Sequence, residues 1–455
     1  MPRAGGGAVP VPVSTDLRRL VVPVYAPAAL AMASLGIVTP ILALLAIERG
    51  AAPGDAALVV AMLSVGGFVG ALPSALVIAR LGDRWALTGA LVVETAAILA
   101  LCVVRSVPAM LVAGFAMGLA GVVLAVARQS YLATAVDVGV RGRAMALLGG
   151  VFRAGSLVGA LIASLLLTLG PMEWALLTAA GLSACAAVAT YAFTAPAEPG
   201  PAADGRAPAM WRPGFGRLFA TLGVGGALVM LVRASRDALL PLWGHDLGLS
   251  ESTVTLLFAV SSAVDLSLFY VAGMVMDRYG RRAAVVPAMV VMGVALLCLP
   301  LGDAVLWAFV IGVALGLGNG LSSGAVMTMG ADAAPEDARA SFLAGWRLVT
   351  GVGQSSGPVL VAAVVGASTV GVAATVVGAL GLVGAGWLRW WLPPGPPGGD
   401  GRDGEGGPLG VVAGRRDDAP AEGRPAAASV RRAGRRRRRP AGRAEVRSTP
   451  ATTRR

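Results

Sequence analysis

Apolar runs of twenty or more residues recur along the whole chain, and each is long enough to cross the roughly 30 Å hydrocarbon core of a bilayer as a helix. Inside a membrane no water is available for backbone N–H and C=O groups, so a spanning segment without barrel-like alternation satisfies them within a helix. Only 14% of the residues are charged and 56% are hydrophobic, whereas a soluble domain carries about 25% charged residues. The spans read as 21–47, 56–79, 84–104, 108–131, 144–169 and 173–194, then 217–243, 252–276, 283–301, 304–330, 340–366 and 370–392. The expected fold class is therefore an all-α integral membrane protein with twelve transmembrane helices.

The segments between and around the spans divide the chain. Residues 1–19 are polar and rich in Gly and Pro, and read as an uncleaved cytoplasmic segment. Residues 20–194 form a first six-helix half and 217–392 a second. The stretch 195–216, rich in Pro, Ala and Gly, reads as a cytoplasmic linker. From residue 393 to 455 the composition is Gly, Pro, Ala and Arg, including the run Arg435 to Arg439, and no core forms from it. That tail holds +8 of the chain's net charge of +12. It reads as a disordered cytoplasmic extension able to touch anionic lipid. Nucleic-acid binding is not expected, because aromatic residues do not interleave with the arginines.

Arginine also sets the orientation. One set of loops carries Arg80, Arg84, Arg141, Arg143, Arg206, Arg212, Arg217, Arg278, Arg281, Arg282 and Arg339, while the opposite set carries Arg49 and Arg105. The positive-inside rule places the first set, both termini and the linker in the cytoplasm, making this a multi-pass protein of the inner (plasma) membrane. All basic residues are arginine, so no lysine-bearing phosphate loop exists. Cys102, Cys185 and Cys298 lie inside apolar runs and His245 is the one histidine. An enzyme, a metal site or a cofactor is accordingly not expected.

The most informative loop is Gly273-Met-Val-Met-Asp277-Arg278-Tyr-Gly280-Arg281-Arg282, an Asp and three Arg between two membrane spans. A tight turn at Gly280 folds one span back on the other. At a constant offset of 198 residues, Arg80, Gly82 and Arg84 match Arg278, Gly280 and Arg282. The same offset takes Gly114 to Gly312, Gly118 to Gly316, Arg141 to Arg339 and Gly159 to Gly357. An ungapped match of this length is an internal repeat.

The string resembles the loop between helices 8 and 9 of the major facilitator superfamily, whose signature Gly-x-x-x-Asp-Arg-x-Gly-Arg-Arg is met at every fixed position. The first copy departs from it, with Ala75 and Ala79 in place of the Gly and Asp. The resemblance covers about residues 20–392. It implies two six-helix pseudo-repeats that rock about a central site, a bacterial secondary transporter and, more loosely, a drug–proton antiporter. It also implies that Gly273, Asp277, Arg278, Gly280, Arg281 and Arg282 form a conformational gate. In the state closed to the cytoplasm, Asp277 is expected at the start of the fifth helix, near Arg143.

Charges inside the spans are costly unless paired or wetted, which marks them as candidates. Asp265 lies about 16 Å from the cytoplasmic end of the eighth span, at ~1.5 Å rise per residue. Arg233 and Arg153 lie at similar depth, and the fifth and eighth helices are neighbours in the family. Asp265, Arg233, Arg236, Arg153 and Arg347 are candidates for proton coupling or substrate contact, with a fixed structural ion pair as the competing role for Asp265. Glu94 ranks below them, because the third helix is peripheral in the family. Arg128 and Asp237 read as residues that reach the membrane interface. Asn319 is expected to line a central cavity or to make an interhelical hydrogen bond. Gly357 and Pro358 are expected to allow close packing and a bend.

The function these features imply is secondary active transport of small organic molecules by alternating access, with proton-coupled efflux first and proton-linked metabolite uptake second. A monomer exchanging protons and a small-molecule substrate is expected. From a different class, the chain could act as a membrane scaffold or sensor that recruits a partner through its basic tail.

Overall fold

The computed structural model describes residues 20–136, 138–194, 215–335 and 338–395. The N-terminal segment 1–19, nearly all of the 195–216 linker and the arginine-rich tail lie outside these residues. Among the described residues twelve helices are long and apolar enough to cross a membrane. They are α1 (Val21–Glu48), α2 and α3, α4 (Val107–Ala135), α5 (Val138–Leu169), α6 (Met172–Phe193) and α7 (Phe215–Asp246). The second half continues with α8 (Glu251–Tyr279), α9 (Arg281–Cys298), α10 (Val305–Ala333), α11 (Arg339–Ala367) and α12 (Val370–Trp391).

The helices α2 and α3 come from one helical run, Pro53–Val103, which Gly82 breaks at φ 76° and ψ 161°. We therefore take α2 as 53–81 and α3 as 83–103. Gly280 turns the chain between α8 and α9 at φ 85° and ψ 167°, nearly the same geometry. Both turns need positive φ, which glycine adopts without the Cβ clash other residues meet. The two hairpins are thus one structural device used twice.

The repeat continues in the packing. A Cβ at Gly118 of α4 would lie 2.0 Å from the Leu63 carbonyl oxygen of α2, and one at Gly316 of α10 would lie 2.4 Å from that of Ser261 in α8. Gly159 of α5 meets Ala33 of α1 at 2.1 Å in the same sense, and Gly357 of α11 meets Leu231 of α7 at 2.4 Å. In each case both partners shift by the same 198 residues. Small residues let these helix backbones touch, which replaces the hydrophobic drive that lipid removes. Large apolar side chains such as Val103, Leu165, Val188 and Leu306 instead point outward, as a lipid-facing surface requires.

The halves meet where α2 packs on α11, α5 on α8 and α1 on α7. Close approaches lie at the ends opposite the arginine-rich hairpins. A Cβ on Gly54 of α2 would lie 2.6 Å from the Cα of Gly366 in α11. Ser164 of α5 donates to the carbonyl of Ser252 in α8 at 2.9 Å. The molecule is sealed at that face.

One expected span is present but broken by a turn. The stretch 304–330 is not a single regular helix, because α10 turns at Ser322–Gly324, with Gly324 left-handed at φ 75°, before resuming at Ala325. The Ser-Ser-Gly sequence there is a turn signal set within an apolar run.

Candidate functional site: a charged cavity between the halves

Between the halves lies a cavity of about 990 Å³. Its walls come from α1, α2, α3, α4, α7 and α11, with Phe152 of α5. It runs from Thr39 and Val60 towards the hairpin ends at Leu76, Arg128 and Ala344. The lining is mainly Ala, Gly, Val, Leu and Met, and its charged members are Glu94, Arg128, Asp237 and Arg347. Arg347 of α11 donates from Nη2 to Gln129 Oε1 of α4 at 3.5 Å, a polar link between the halves.

Glu94 is 4% exposed and Arg128 5%, and the two interact electrostatically at the cavity wall. The third helix is therefore not peripheral at Glu94. Arg128 also departs from expectation: it does not reach out to the interface but turns inward, 5.9 Å above the ring of Phe152. Depth counted along a helix leaves open which face a side chain takes, and a buried carboxylate draws the guanidinium in. Asp237 likewise lines the cavity, with Arg236 Nε 3.5 Å from its Oδ1.

A second cavity, of about 200 Å³, is lined by Met32, Phe152, Arg153, Ser156, Arg236, Ser262 and Asp265. Met32 and Phe152 line both spaces. Here Arg153 of α5 approaches Asp265 of α8, Nε to Oδ2, at 3.5 Å. Arg153 Nη2 also donates to Ser323 Oγ at 2.6 Å, and Ser323 reaches Asp265 Oδ1 at 3.5 Å. The Arg153 guanidinium lies 4.6 Å from the ring centroid of Phe269. This triangle spans both halves at mid-depth. Ser323 belongs to the turn in α10 and carries no charge, so no feature of the sequence singled it out.

The remaining candidates separate clearly. Arg233 Nε donates to Asn319 Oδ1 at 2.8 Å and its Nη1 to the Ser322 carbonyl at 3.4 Å. Neither Arg233 nor Asn319 lines either cavity. The expectation that Asn319 faces a central cavity is corrected: its side chain is taken up by the α7–α10 hydrogen bond, the alternative role. Gly357 packs on α7, and Pro358 lies on the wall of the large cavity within an uninterrupted helix.

At the α8–α9 hairpin the hub is Arg281. Its Nε donates to Asp332 Oδ2 at 2.9 Å and its Nη1 to the Met276 carbonyl at 3.0 Å. The side chain of Asp277 is 84% exposed and faces Arg281 at 3.8 Å. Arg278 sits 5.4 Å from the ring centroid of Tyr279, Arg282 Nη1 donates to the Leu392 carbonyl at 3.5 Å, and a Cβ at Gly273 would meet open space. The expected approach of Asp277 to the start of α5 is not made in this conformer, whose halves close at the opposite face. In the first hairpin Asp83 is 8% exposed and hydrogen-bonded to Ser130.

Twelve spanning helices in two repeats, with a cavity between them closed at one face, define a membrane transporter. The chain belongs to the Major Facilitator Superfamily, whose family model matches it twice, over residues 26–233 and 222–441. No curated protein matches the chain. Solved structures similar to it include a POT family transporter in complex with 5-aminolevulinic acid (TM-score 0.69, 12% identity, covering 82% of this chain and 95% of that one). Others are the nucleoside transporter NupG (TM-score 0.64, 13% identity, 82% and 98%) and a D-xylose–proton symporter (TM-score 0.62, 14% identity, 83% and 98%). At these identities the likeness is one of fold.

Proposed function

We propose that this chain is a proton-coupled exporter of small, largely apolar organic molecules, working by alternating access. The observation that carries this is the 990 Å³ cavity, apolar over most of its wall and sealed at Gly54 and Gly366. A wall of Ala, Val, Leu and Met favours ligands by area removed from water, and methionines adapt to varied shapes.

The arginine-rich hairpins face the cytoplasm in this reading, with both termini on the same side. The conformer described is then open inward, ready to load substrate from the cytoplasm or the inner leaflet. Asp265 is the coupling group. Ionised, it holds Arg153 across the two halves. Protonated, it loses the charge attraction, and the α5–α8 contact weakens. A proton entering from outside thereby biases the exchange between the two open states, because it binds one state better than the other.

Everted membrane vesicles carrying the full chain test this with ethidium as the probe. Respiration should drive ethidium accumulation, and nigericin should abolish it. Asp265→Asn should lower accumulation at least tenfold at equal expression. Full accumulation in that variant, or after collapse of the proton gradient, would rule out coupling through Asp265.

A further inference from the structure

We infer that the 200 Å³ cavity is a carboxylate subsite, and that the substrates include amphipathic organic acids whose apolar bodies lie in the larger cavity. This rests on the transport reading and names the chemistry of its ligand.

Arg236 is the first reason. It is 6% exposed and lines the cavity, yet its Nε and Nη1 have no hydrogen-bond partner among the described residues. Asp237 stands 3.5 Å from Nε, and the ring of Phe258 lies 5.2 Å from the guanidinium carbon. Neither supplies an acceptor to Nη1. A buried guanidinium left short of acceptors is unfavourable, and a carboxylate is the ligand group whose two oxygens match its fork.

The charge balance gives a second, independent reason. Arg153, Arg233, Arg236, Asp237 and Asp265 form one electrostatically coupled cluster. Three cations face two anions at mid-depth, leaving one positive charge that a single monovalent anion cancels. The ion pairs match Arg153 with Asp265 and Arg236 with Asp237, so the unmatched charge sits on Arg233, which among the described residues donates only to the neutral Asn319 and the Ser322 carbonyl, and an anion held at Arg236 lies in the field of that charge.

Size and continuity select an organic acid over a bare ion. A cavity of about 150 Å³ holds a benzene ring, and this one is about 200 Å³. A halide would leave most of it empty. Met32 and Phe152 form a shared apolar wall, so a ligand anchored at Arg236 extends past them into the 990 Å³ space. Ser156 supplies a hydroxyl donor beside the carboxylate, while Ser262 donates its own to the Phe258 carbonyl at 2.9 Å.

The test is binding of 2-naphthoate and its neutral isostere 2-naphthamide to the purified full chain, by calorimetry, with sodium chloride as a separate titrant. The acid should bind at least tenfold more tightly than the amide, as a charge-assisted pair predicts. Arg236→Gln should erase that difference, and Arg236→Lys should keep part of it. Equal binding of acid and amide to the unmodified protein overturns the inference, whether or not the variants fold. Chloride displacing 2-naphthoate one for one, with no contribution from the ring, overturns it in favour of a halide site. Ethidium transport that persists alongside equal acid and amide binding refutes the subsite and leaves the exporter standing. An acid preference in a protein that moves neither ethidium nor 2-naphthoate supports the subsite while refuting the exporter.

Discussion

Arg153 of α5 and Asp265 of α8 meet at 3.5 Å across the boundary between the two halves, with Ser323 bonded to the first and touching the second. Their side chains are 19% and 12% exposed. Removing one partner leaves the other charge largely buried, a loss of about 3–5 kcal/mol for pairs of this kind. Arg153→Gln and Asp265→Asn should each lower the melting temperature, and the double variant should lower it by less than the sum of the two. A double-mutant cycle in detergent should return a coupling of about 1–3 kcal/mol. Additive effects would mean that the pair contributes nothing across the interface.

The seal at the opposite face is asymmetric. A Cβ on Gly54 would stand 2.6 Å from Gly366 Cα, whereas a Cβ on Gly366 would meet its nearest atom, Gly54 Cα, at 3.9 Å. Gly54→Ala must push α2 away from α11, and Gly366→Ala need not. With the native cysteines replaced and a cysteine placed at Thr39 on the cavity wall, an impermeant maleimide added from the sealed face should label Gly54→Ala several-fold faster. Labelling of Gly366→Ala should match the parent.

In the α8–α9 hairpin, stability should follow contacts rather than the motif. Arg281→Ala loses the Asp332 pair and the bond to the Met276 carbonyl, and should cost about 1–3 kcal/mol. Asp277→Ala changes an exposed side chain and should stay within about 0.5 kcal/mol. Thermal melts of the two variants decide this, and a larger loss from Asp277→Ala would show that its carboxylate holds this conformer as well.

The fold was legible because hydropathy is a property of each span taken alone. The turns at Gly82 and Gly280 were legible because glycine with flanking arginines marks a positive-φ hairpin, and the repeat showed in the 198-residue offset. The site was legible only in part. Charge and depth were enough to select Arg153 and Asp265, but not to place Ser323 between them. Arg128 and Asp237 were misplaced for the same reason: distance from a helix end fixes height, while the face a side chain takes is set by neighbours from other helices. Glu94 was set low by position in a family pattern, and its burial beside Arg128 comes from a tertiary contact that one sequence does not display. That Arg236 Nε and Nη1 lack a hydrogen-bond partner among the described residues is a property of packing alone.

Alternating access has the halves exchange between two states about this charged cavity. Paired spin-label distances test it most directly, in nanodiscs with the native cysteines replaced, at pH 5.5 and pH 8. One label pair replaces Arg80 and Arg278 at the hairpin face, and the other replaces Asp55 and Ser368 at the sealed face. Alternating access predicts two populations for each pair, with any condition that lengthens the 55–368 distance shortening the 80–278 distance. Distances that move together, or a single fixed distance for both pairs at both pH values, would contradict alternating access.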